Sequence, residues 1–315
     1  MKITMEEAAA YLTQGQSFLI TAHVNPDGDA IGSALGLQAY LRRQGKVAEV
    51  FIDDDLPRHL SFMPGFSNIR RPDGVDRKSD FLVVLDTDTS RIGEVAKCAP
   101  GAKILNIDHH ISNDEKADYL YLAKRSATAE MIFEILDSLG AEFPLDVAIP
   151  LYVGVATDTG FFRYSNTTPL TMRVGGRLLA AGICPSDISE TLELRPLAVV
   201  KGQAAVLDTL ELSAEGRVAG IFLDKAFADQ METTDSFIDL IRVIEGVEIA
   251  VLIKEVEERR CRVSIRSKGI NVSDIAVRFG GGGHIRAAGC TLNMTLAEAK
   301  AALLPALAEA VMKEP

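Results

Sequence analysis

Cysteine is scarce in this chain of 315 residues. The four cysteines are scattered and no two of them form a C-x-x-C pair, so the sequence predicts neither a disulfide framework nor a zinc ribbon. Unpaired cysteines are typical of proteins kept in a reducing compartment, and we therefore expect a cytoplasmic protein.

A surplus of positive charge and long hydrophobic segments are lacking as well. Asp and Glu number 44 against 33 Lys and Arg, a formal net charge of −11, which argues against the broad basic surface that long duplex nucleic acid requires. A small anion held by a metal ion and a few arginines is compatible with this balance. The uncharged run 8–26 is interrupted by Thr-Gln-Gly-Gln at 13–16, so we expect no membrane span and no secretory signal.

The chain length and the order of apolar segments predict the fold. At about 150 residues per domain, the chain should form two domains. In its first part, short apolar runs alternate with helical patterns, which indicates an α/β domain with a doubly wound, mainly parallel sheet. The predicted strands are 18–22, 47–52, 81–85 and 103–107, and the predicted helices are 30–44, 127–139, 146–155 and 169–181.

The second part of the chain has a different pattern. We interpret a helical stretch at 186–206 as a linker, which gives a first domain over 1–185 and a second over 207–315. Strands dominate there and the helices are short, which indicates a smaller mixed α/β domain. Its predicted strands are 206–212, 218–223, 247–256 and 261–266, and its predicted helices are 236–244, 273–278 and a final one after 295.

Eight polar side chains of the first domain lie where strands or a helix end. Ligands of parallel α/β sheets bind beyond the carboxyl ends of the strands, because those ends share one edge. Carboxylates and imidazoles without a thiolate favour hard or borderline divalent cations such as Mn²⁺, and there are more donors than one ion needs. Two ions about 3.5–4 Å apart would suit in-line phosphoryl hydrolysis. The eight residues are His23, Asp27, Asp29, Asp86, Asp108, His109, His110 and Asp158.

Single members of this set have simpler explanations. Taken alone, Asp86 and Asp158 are equally consistent with ordinary carboxylates of a loop and a helix end. The adjacent His109 and His110 cannot point the same way from an extended backbone, so one can bind metal while the other faces a substrate. Asp108 is then a natural partner for orienting an imidazole.

Three further features suggest contacts to a nucleotide or a phosphate. The run Gly-Gly-Gly-Gly-His at 280–284 can form an anion nest from backbone N–H groups, although a flexible hairpin explains it equally well. Arg262 and Arg266 alternate onto one strand face, which suits a phosphate clamp or simply faces solvent. In the segment 161–164, Phe-Phe-Arg-Tyr, the aromatic rings and Arg163 can stack on a base, and core burial is the alternative for the phenylalanines.

Together these motifs resemble the DHH phosphoesterase superfamily. The match covers essentially the whole chain, and the nearest type within the superfamily is the short, stand-alone nanoRNase. The glycine-rich run is similar to the signature of the DHH-associated C-terminal domain. The motifs that carry the resemblance are His23-x-Asn-Pro-Asp27-x-Asp29-Ala-x-Gly-Ser, the strand ending in Asp86, Asp108-His109-His110, the segment of Asp158, and Gly280-Gly-Gly-Gly-His284-x-x-Ala287-Ala288-Gly289.

The resemblance implies a role for each residue. One Mn²⁺ would be held by His23, Asp27 and Asp86, and a second by Asp29, Asp86, His109 and Asp158, with Asp86 as the bridge and with Mg²⁺ or Co²⁺ as substitutes. His110 would contact the scissile phosphate, with Asp108 beside it. A non-scissile phosphate or nucleotide would be held by Gly281, Gly282, Gly283 and His284, together with Arg262 and Arg266.

The implied function is hydrolysis of very short RNA oligonucleotides, removal of the 3′-phosphate of 3′-phosphoadenosine 5′-phosphate (pAp), or both, in a cleft between the two domains. A cyclic di-AMP or pApA phosphodiesterase of the same superfamily would share every motif. Three other functions fit the sequence less well. A long-chain exonuclease would need a further nucleic-acid-binding domain, and a pyrophosphatase of this superfamily would lack the glycine-rich signature. A non-catalytic binding protein would have lost metal ligands, and every candidate ligand is present here. The resemblance alone suggests a homodimer.

Overall fold

Two separate sheets organise the chain, one in each of two units. The computed structural model describes residues 1–231, 234 and 236–313, and the chain divides into the units Met1–Leu194 and Arg195–Pro315. The division falls between two helices, within the stretch 186–206 that the sequence indicated as one helical linker. The helix before it belongs to the first unit and the helix after it to the second.

The first unit is built on a five-stranded sheet whose neighbouring strands are all parallel. Its strands are β1 Ser17–Thr21, β2 Val47–Val50, β3 Phe81–Leu85, β4 Lys103–Asp108 and β5 Tyr119–Leu122, and its α-helices are α1 Met5–Gln14, α2 Gly28–Arg43, α3 Thr128–Ser138, α4 Leu145–Asp158, α5 Pro169–Leu179 and α6 Pro185–Glu193. The spatial order of the strands is β2-β1-β3-β4-β5. The predicted parallel α/β sheet is therefore confirmed, and β5 is a strand that the prediction missed.

The two faces of this sheet are covered differently. On one face, strand residues such as Ile20 and Val83 pack with the α-helices in the larger core. On the other face, Leu82 and Val84 pack with the short 3₁₀ segments of residues 89–98. Because successive side chains of a strand alternate between faces, a strand covered on both sides must be apolar throughout. This explains the continuous apolar run at 81–85.

The second unit contains a six-stranded mixed sheet in the order β10-β11-β9-β8-β7-β6. Only the pair β7–β8 is parallel. The strands are β6 Glu211–Ser213, β7 Val218–Leu223, β8 Ile249–Glu257, β9 Arg260–Ser267, β10 Gly282–His284 and β11 Ala287–Leu292, and the helices are α7 Leu197–Leu207, α8 Lys225–Ala228, α9 Phe237–Arg242, α10 Val272–Arg278 and α11 Leu296–Lys313. The prediction that this part of the chain has a mixed α/β fold is therefore confirmed.

The predicted strand at 206–212 is wrong over its first half. Helix α7 continues to Leu207, and only the short strand β6 follows. Val199 and Val206 are seven residues apart, which places them on the same helix face, and both are buried in the core of the second unit. The apolar period of the helix therefore overrides the strand-like composition of this segment.

Cysteine chemistry and membrane character were both judged from the sequence. All four cysteines are free thiols, and three of them are buried. Among the helices of the described residues, none has the length and apolar character needed to cross a bilayer.

The helices that carry part of the candidate site, α2 and α4, pack unusually closely. A Cβ atom at Gly32 would lie 2.3 Å from the carbonyl oxygen of Pro150 and 3.0 Å from the amide nitrogen of Gly154. The backbone of one helix therefore lies directly against that of the other. This contact holds the start of α2 beside α4.

We predict that Gly32→Ala destabilises the fold by about 1–3 kcal/mol, since the added methyl group forces backbone apart in a packed core. Gly176→Ala is the matched control: it also lies within a helix, but a Cβ there meets nothing within 4 Å. That variant should gain about 0.5–1 kcal/mol from reduced backbone entropy. Urea unfolding followed by circular dichroism measures both, and equal effects of the two substitutions would contradict the close helix contact.

Candidate metal centre

All eight candidate residues of the first unit lie at one edge of the parallel sheet. The loops that carry most of them begin at the carboxyl ends of the strands, and those ends coincide in a parallel sheet. His23 follows β1, Asp27 and Asp29 lie at the start of α2, Asp86 follows β3, Asp108 ends β4, His109 and His110 come directly after it, and Asp158 ends α4.

The first group of donor atoms is formed by His23, Asp27 and Asp86. His23 Nε2 lies 3.4 Å from Asp86 Oδ2 and 3.9 Å from Asp27 Oδ2. His23 Nδ1 donates to the carbonyl oxygen of Val24 at 2.9 Å, which leaves Nε2 to face the carboxylates. Asp27 caps α2: its Oδ1 accepts two amide N–H groups of the first turn, at 3.0 Å each. Its other oxygen faces the group.

The second group of donor atoms is formed around His109. Its Nε2 lies 3.3 Å from Asp86 Oδ1, 3.5 Å from Asp158 Oδ2 and 4.0 Å from Asp29 Oδ2. Its Nδ1 donates to the carbonyl oxygen of Arg125 at 3.2 Å. As in the first group, a backbone carbonyl fixes the ring so that Nε2 faces the carboxylates.

Asp86 joins the two groups. Its Oδ2 faces His23 and its Oδ1 faces His109, which is the arrangement that a carboxylate bridging two cations requires. The backbone of Asp86 has a φ of +60°, in the left-handed region that residues other than glycine rarely occupy. Its amide N–H donates to the carbonyl oxygen of Ile107 on the neighbouring strand at 3.1 Å. Such strain persists where the surroundings hold it in place, often at functional sites.

The negative charges of this cluster are only partly compensated. Burial, followed by repulsion from neighbouring carboxylates, raises the pKa of Asp29 and Asp158 well above the ordinary value. Burial also acts to raise the pKa of Asp86, but the hydrogen bonds to His109 and His23 outweigh it and lower that pKa well below the ordinary value. Burial acts to lower the pKa of both imidazoles, but hydrogen bonding and the nearby carboxylates raise it to about 9 for His23 and about 11 for His109.

The donor set fits divalent cations. The donor atoms of His23, Asp27 and Asp86 lie within 4.8 Å of one another, and so do those of Asp29, Asp86 and His109. Oxygen and imidazole donors without sulfur suit hard or borderline ions. Carboxylates crowded together in a buried site repel one another, and cations bound between them would remove that repulsion.

Asp108 and His110 lie beside the two donor groups and are hydrogen-bonded to each other. The His110 ring nitrogen Nδ1 lies 2.8 Å from Asp108 Oδ1, which also accepts the His110 amide N–H at 3.1 Å. The other oxygen of the buried Asp108 accepts from the Asn113 side chain at 2.6 Å. The rings of His109 and His110 are nearly perpendicular, at 69°. His109 therefore faces the carboxylates of the second group through Nε2, while His110 turns its Nδ1 to Asp108 and has that atom 3.7 Å from Asp86 Oδ1.

Three polar side chains that the sequence analysis did not single out donate hydrogen bonds to the candidate ligands or to the backbone beside them. Asn106 donates to the carbonyl oxygens of Val84 at 3.0 Å and Thr87 at 2.7 Å, on either side of Asp86. Its signal was available, because it is the one amide within an apolar strand. Thr128 donates to the Asp86 carboxylate, and Asn166 donates to the backbone carbonyl oxygen of Asp158. No local pattern singles them out, because their partners lie far away in the sequence.

Arg163 lies just beyond the end of α4. Its Nε donates to the carbonyl oxygen of Gly160 at 2.7 Å. Phe161 and Phe162 before it have φ values of +56° and +63°, and both are partly buried against the main core. Core packing therefore accounts for the two phenylalanines, as the simpler explanation held, and Arg163 remains the substrate-contact candidate of this segment.

In the second unit, the predicted alternation along β9 is observed. Cys261, Val263 and Ile265 are buried in the core on one face. Arg262 and Arg266 lie on the opposite face, where they are exposed and half-buried respectively. Residues paired across strands share a face of the sheet. On β10 and β11 the other members of this face are Gly282, His284, Ala287, Gly289 and Thr291, and on β8 they are Ala250, Leu252 and Lys254.

The glycine-rich run forms a hairpin with β11. Gly282–His284 is strand β10, paired antiparallel with Ala287–Gly289. A Cβ at Gly281 would lie 2.0 Å from the carbonyl oxygen of Gly289, and Gly283 has a φ of +137°. The hairpin thus explains why side chains are missing at these two positions. On the face of Arg266 and His284, the row across the three strands has the small Ala287 between the two larger side chains.

Two family models match this chain. The DHH family N-terminal domain matches residues 17–155, and the DHHA1 domain matches residues 220–314. The first contains all the candidate ligands except Asp158, and the second contains Arg262, Arg266 and the glycine-rich hairpin.

Similar proteins extend over nearly the whole chain. The bifunctional oligoribonuclease and PAP phosphatase NrnA of Thermus thermophilus is 36% identical over 276 residues, which are 87% of this chain and 83% of that protein. The protein of the same name from Bacillus subtilis is 29% identical and covers 88% of this chain and 89% of its own length. An exopolyphosphatase-related protein from Bacteroides fragilis has a similar structure, with a TM-score of 0.87 and 25% identity, covering 97% and 95% of the two chains.

We predict that Asp158→Asn stabilises the protein without metal and weakens its stabilisation by Mn²⁺. The raised pKa of Asp158 means that its ionised form is disfavoured in the fold, so removal of the charge at neutral pH favours folding. A ligand at 100 times its Kd stabilises by about 2.7 kcal/mol, and this increment should shrink because a donor is lost. Thermal unfolding with EDTA and with Mn²⁺ measures both effects. A loss of stability in EDTA, or an unchanged Mn²⁺ increment, would contradict the account.

Proposed function

The chain belongs to the DHH family, and on this basis we propose that it is a Mn²⁺-dependent phosphoesterase that hydrolyses very short oligoribonucleotides to mononucleotides and removes the 3′-phosphate of pAp. The observation that carries the proposal is Asp86, whose two carboxylate oxygens face two separate groups of donors. The names of the relatives from Thermus thermophilus and Bacillus subtilis agree with this substrate class.

The metal ligands in this proposal are the two donor groups. One ion would be held by His23, Asp27 and Asp86, and the other by Asp29, Asp86, His109 and Asp158. When bound, two such ions supply an activated water and neutralise charge on the phosphoryl oxygens. The chain itself fixes each imidazole through its Nδ1–H, so that no rotation of the ring is needed for binding.

His110 is the residue that we assign to the scissile phosphate. The Nδ1 of its ring donates to the carboxylate of Asp108 at 2.8 Å, which leaves Nε2 as the nitrogen that can contact a substrate. When Nε2 also carries a proton, the ring can donate a hydrogen bond to a phosphate oxygen or transfer that proton to the leaving oxygen. Asp108 is fully buried, and its role is to orient the ring.

The second unit supplies the substrate-binding residues of this proposal. One face of β9 to β11 carries Arg262, Arg266 and His284 with small residues between them. Arginine binds phosphate bidentately, so these residues would hold a terminal phosphate or nucleotide. Arg163 of the first unit is a separate candidate for stacking on a base. A ligand of a few nucleotides also fits the acidic balance of the chain.

The substrate class is tested by one parallel assay. The purified protein with Mn²⁺ is given pApA, pAp, longer RNA, cyclic di-AMP and pyrophosphate, and release of AMP or phosphate is measured. We expect cleavage of pApA and pAp, a sharp fall with RNA length, and loss of both activities in Asp86→Ala. A preference for cyclic di-AMP would mean that the proposed substrate is wrong and that the protein is a cyclic di-AMP phosphodiesterase. Absence of cleavage by a protein that still binds Mn²⁺ would refute the proposed activity.

We predict that Arg262→Ala and Arg266→Ala each raise KM for pApA by about tenfold to a hundredfold, since a hydrogen bond to a charged group contributes about 1.5–3 kcal/mol and 1.4 kcal/mol is a factor of ten. The effect on kcat should be smaller, because these side chains bind the non-scissile end. Arg259→Ala is the matched control, because Arg259 pairs with Glu298 on the surface. An equal change in all three variants would contradict a specific role for the β9 face.

A further inference from the structure

One short segment at the start of α3 contacts, directly or through one side chain, every ligand of the second donor group. We infer that residues Arg125–Ala129 position the second metal ion, with Thr128 as the positioning residue. The inference rests on the proposed metal centre and extends it, because none of these residues is itself a ligand. Each of the four ligands is connected to the segment in a different way.

Asp29 is held by the backbone of the segment. Its Oδ2 accepts the Thr128 amide N–H at 2.6 Å and its Oδ1 accepts that of Ala129 at 2.8 Å. The N-cap residue of α3, Ala127, has no side chain that can accept these bonds. Asp29 therefore caps α3 from another helix, α2, and its negative charge lies at the positive end of the α3 dipole.

Asp86 is held by the side chain of Thr128. The hydroxyl Oγ1 donates to Asp86 Oδ1 at 3.0 Å, and this is the oxygen that faces His109. Thr128 is fully buried, so water cannot replace its hydroxyl without a change in packing. The hydroxyl thus holds in place the oxygen that Asp86 presents to the second donor group.

His109 is held by the carbonyl oxygen of Arg125, which accepts its Nδ1–H at 3.2 Å. The position of that carbonyl is set in turn by the Arg125 side chain, whose Nε and Nη2 lie 2.5 Å and 3.2 Å from the carboxylate oxygens of Glu134 on α3. A two-point pair between a guanidinium and a carboxylate is geometrically specific. It ties the loop before α3 to the body of that helix.

Asp158 is connected through Asn166. The Asn166 amide donates both to the carbonyl oxygen of Asp158 at 3.0 Å and to that of Ser126 at 3.1 Å. Ser126 is itself anchored by the fully buried Glu130, which accepts its amide N–H at 2.9 Å and its hydroxyl. The start of the segment is therefore fixed at two adjacent residues, Arg125 and Ser126, by side chains of α3.

The contacts are selective for one donor group. Among the hydrogen bonds of the described residues, those of the segment reach the second group and the shared Asp86, and none reaches His23 or Asp27. Loss of the Thr128 hydroxyl should therefore weaken one ion more than the other. A general loss of stability would weaken both.

The test is Mn²⁺ binding to Thr128→Val, measured by calorimetry and by electron paramagnetic resonance of the bound ions. Valine keeps the shape and both backbone N–H bonds to Asp29 but removes the donor to Asp86. We expect the ion of the second donor group to lose about tenfold or more in affinity, the size typical of such supporting contacts, while the ion held with His23 and Asp27 is unchanged. The spectrum at limiting Mn²⁺ should change from a coupled pair to isolated ions.

Two variants and one control complete the design. Thr128→Ser should restore binding, and Asn166→Ala, which acts through Asp158, should reproduce the selective loss. Ile135→Val is the control, because Ile135 is buried on the same helix and contacts none of the ligands by hydrogen bond; both ions should bind it normally. Unchanged binding in Thr128→Val would overturn the inference alone. A wild-type protein that binds no Mn²⁺ would overturn the proposed function and the inference with it.

Discussion

The carboxylate of Asp86 lies between two imidazoles, and the rest of the candidate site is arranged around that contact. One oxygen faces His23 and the other faces His109, at 3.4 Å and 3.3 Å. Each imidazole brings its own set of carboxylates, so the cluster is more acidic than the two rings can balance. Burial, and then repulsion between these carboxylates, raises the pKa of Asp29 and Asp158 well above the ordinary value. Divalent cations bound between these groups would offset the imbalance, and this is the chemical basis on which we propose the cluster as a metal centre.

The fold produces this contact by two means. The parallel sheet brings the ends of β1, β3 and β4 to one edge, which supplies both histidines of the cluster and Asp86. The close packing of α2 against α4 at Gly32 then brings the start of one helix near the end of the other, which supplies Asp29 and Asp158. Helix α3 begins at the same place and is capped by Asp29. Stability and ligand placement therefore depend on the same hydrogen bonds.

Much of this arrangement could be predicted from local sequence patterns. A continuous apolar run such as 81–85 indicates a buried parallel strand, and polar residues directly after such runs indicate a site at one edge. The short strands β5, β10 and β11 were missed, because three to six residues with glycine or mixed polarity carry little periodic signal. The strand predicted at 206–212 was wrong over residues 206–210, because short apolar segments do not distinguish a helix from a strand.

The supporting contacts of Thr128 and Asn166, unlike those of Asn106, could not be predicted from the sequence. Thr128 and Asp29 are about a hundred positions apart, and Asn166 and Ser126 are 40 apart; neither pair leaves a trace in spacing or composition. The glycine-rich hairpin is an intermediate case. Its pattern fits an anion nest and a tight hairpin equally well. Only the close backbone contact at Gly281 shows that the hairpin leaves no room for a side chain there.

The central claim, that Asp86 bridges two cations, is tested most directly by a crystal structure of the protein grown with Mn²⁺, using anomalous scattering at the manganese edge. The account predicts two peaks about 3.5–4 Å apart, one beside His23 and one beside His109, with an Asp86 oxygen bound to each. A single peak, or two peaks of which only one contacts Asp86, would contradict it.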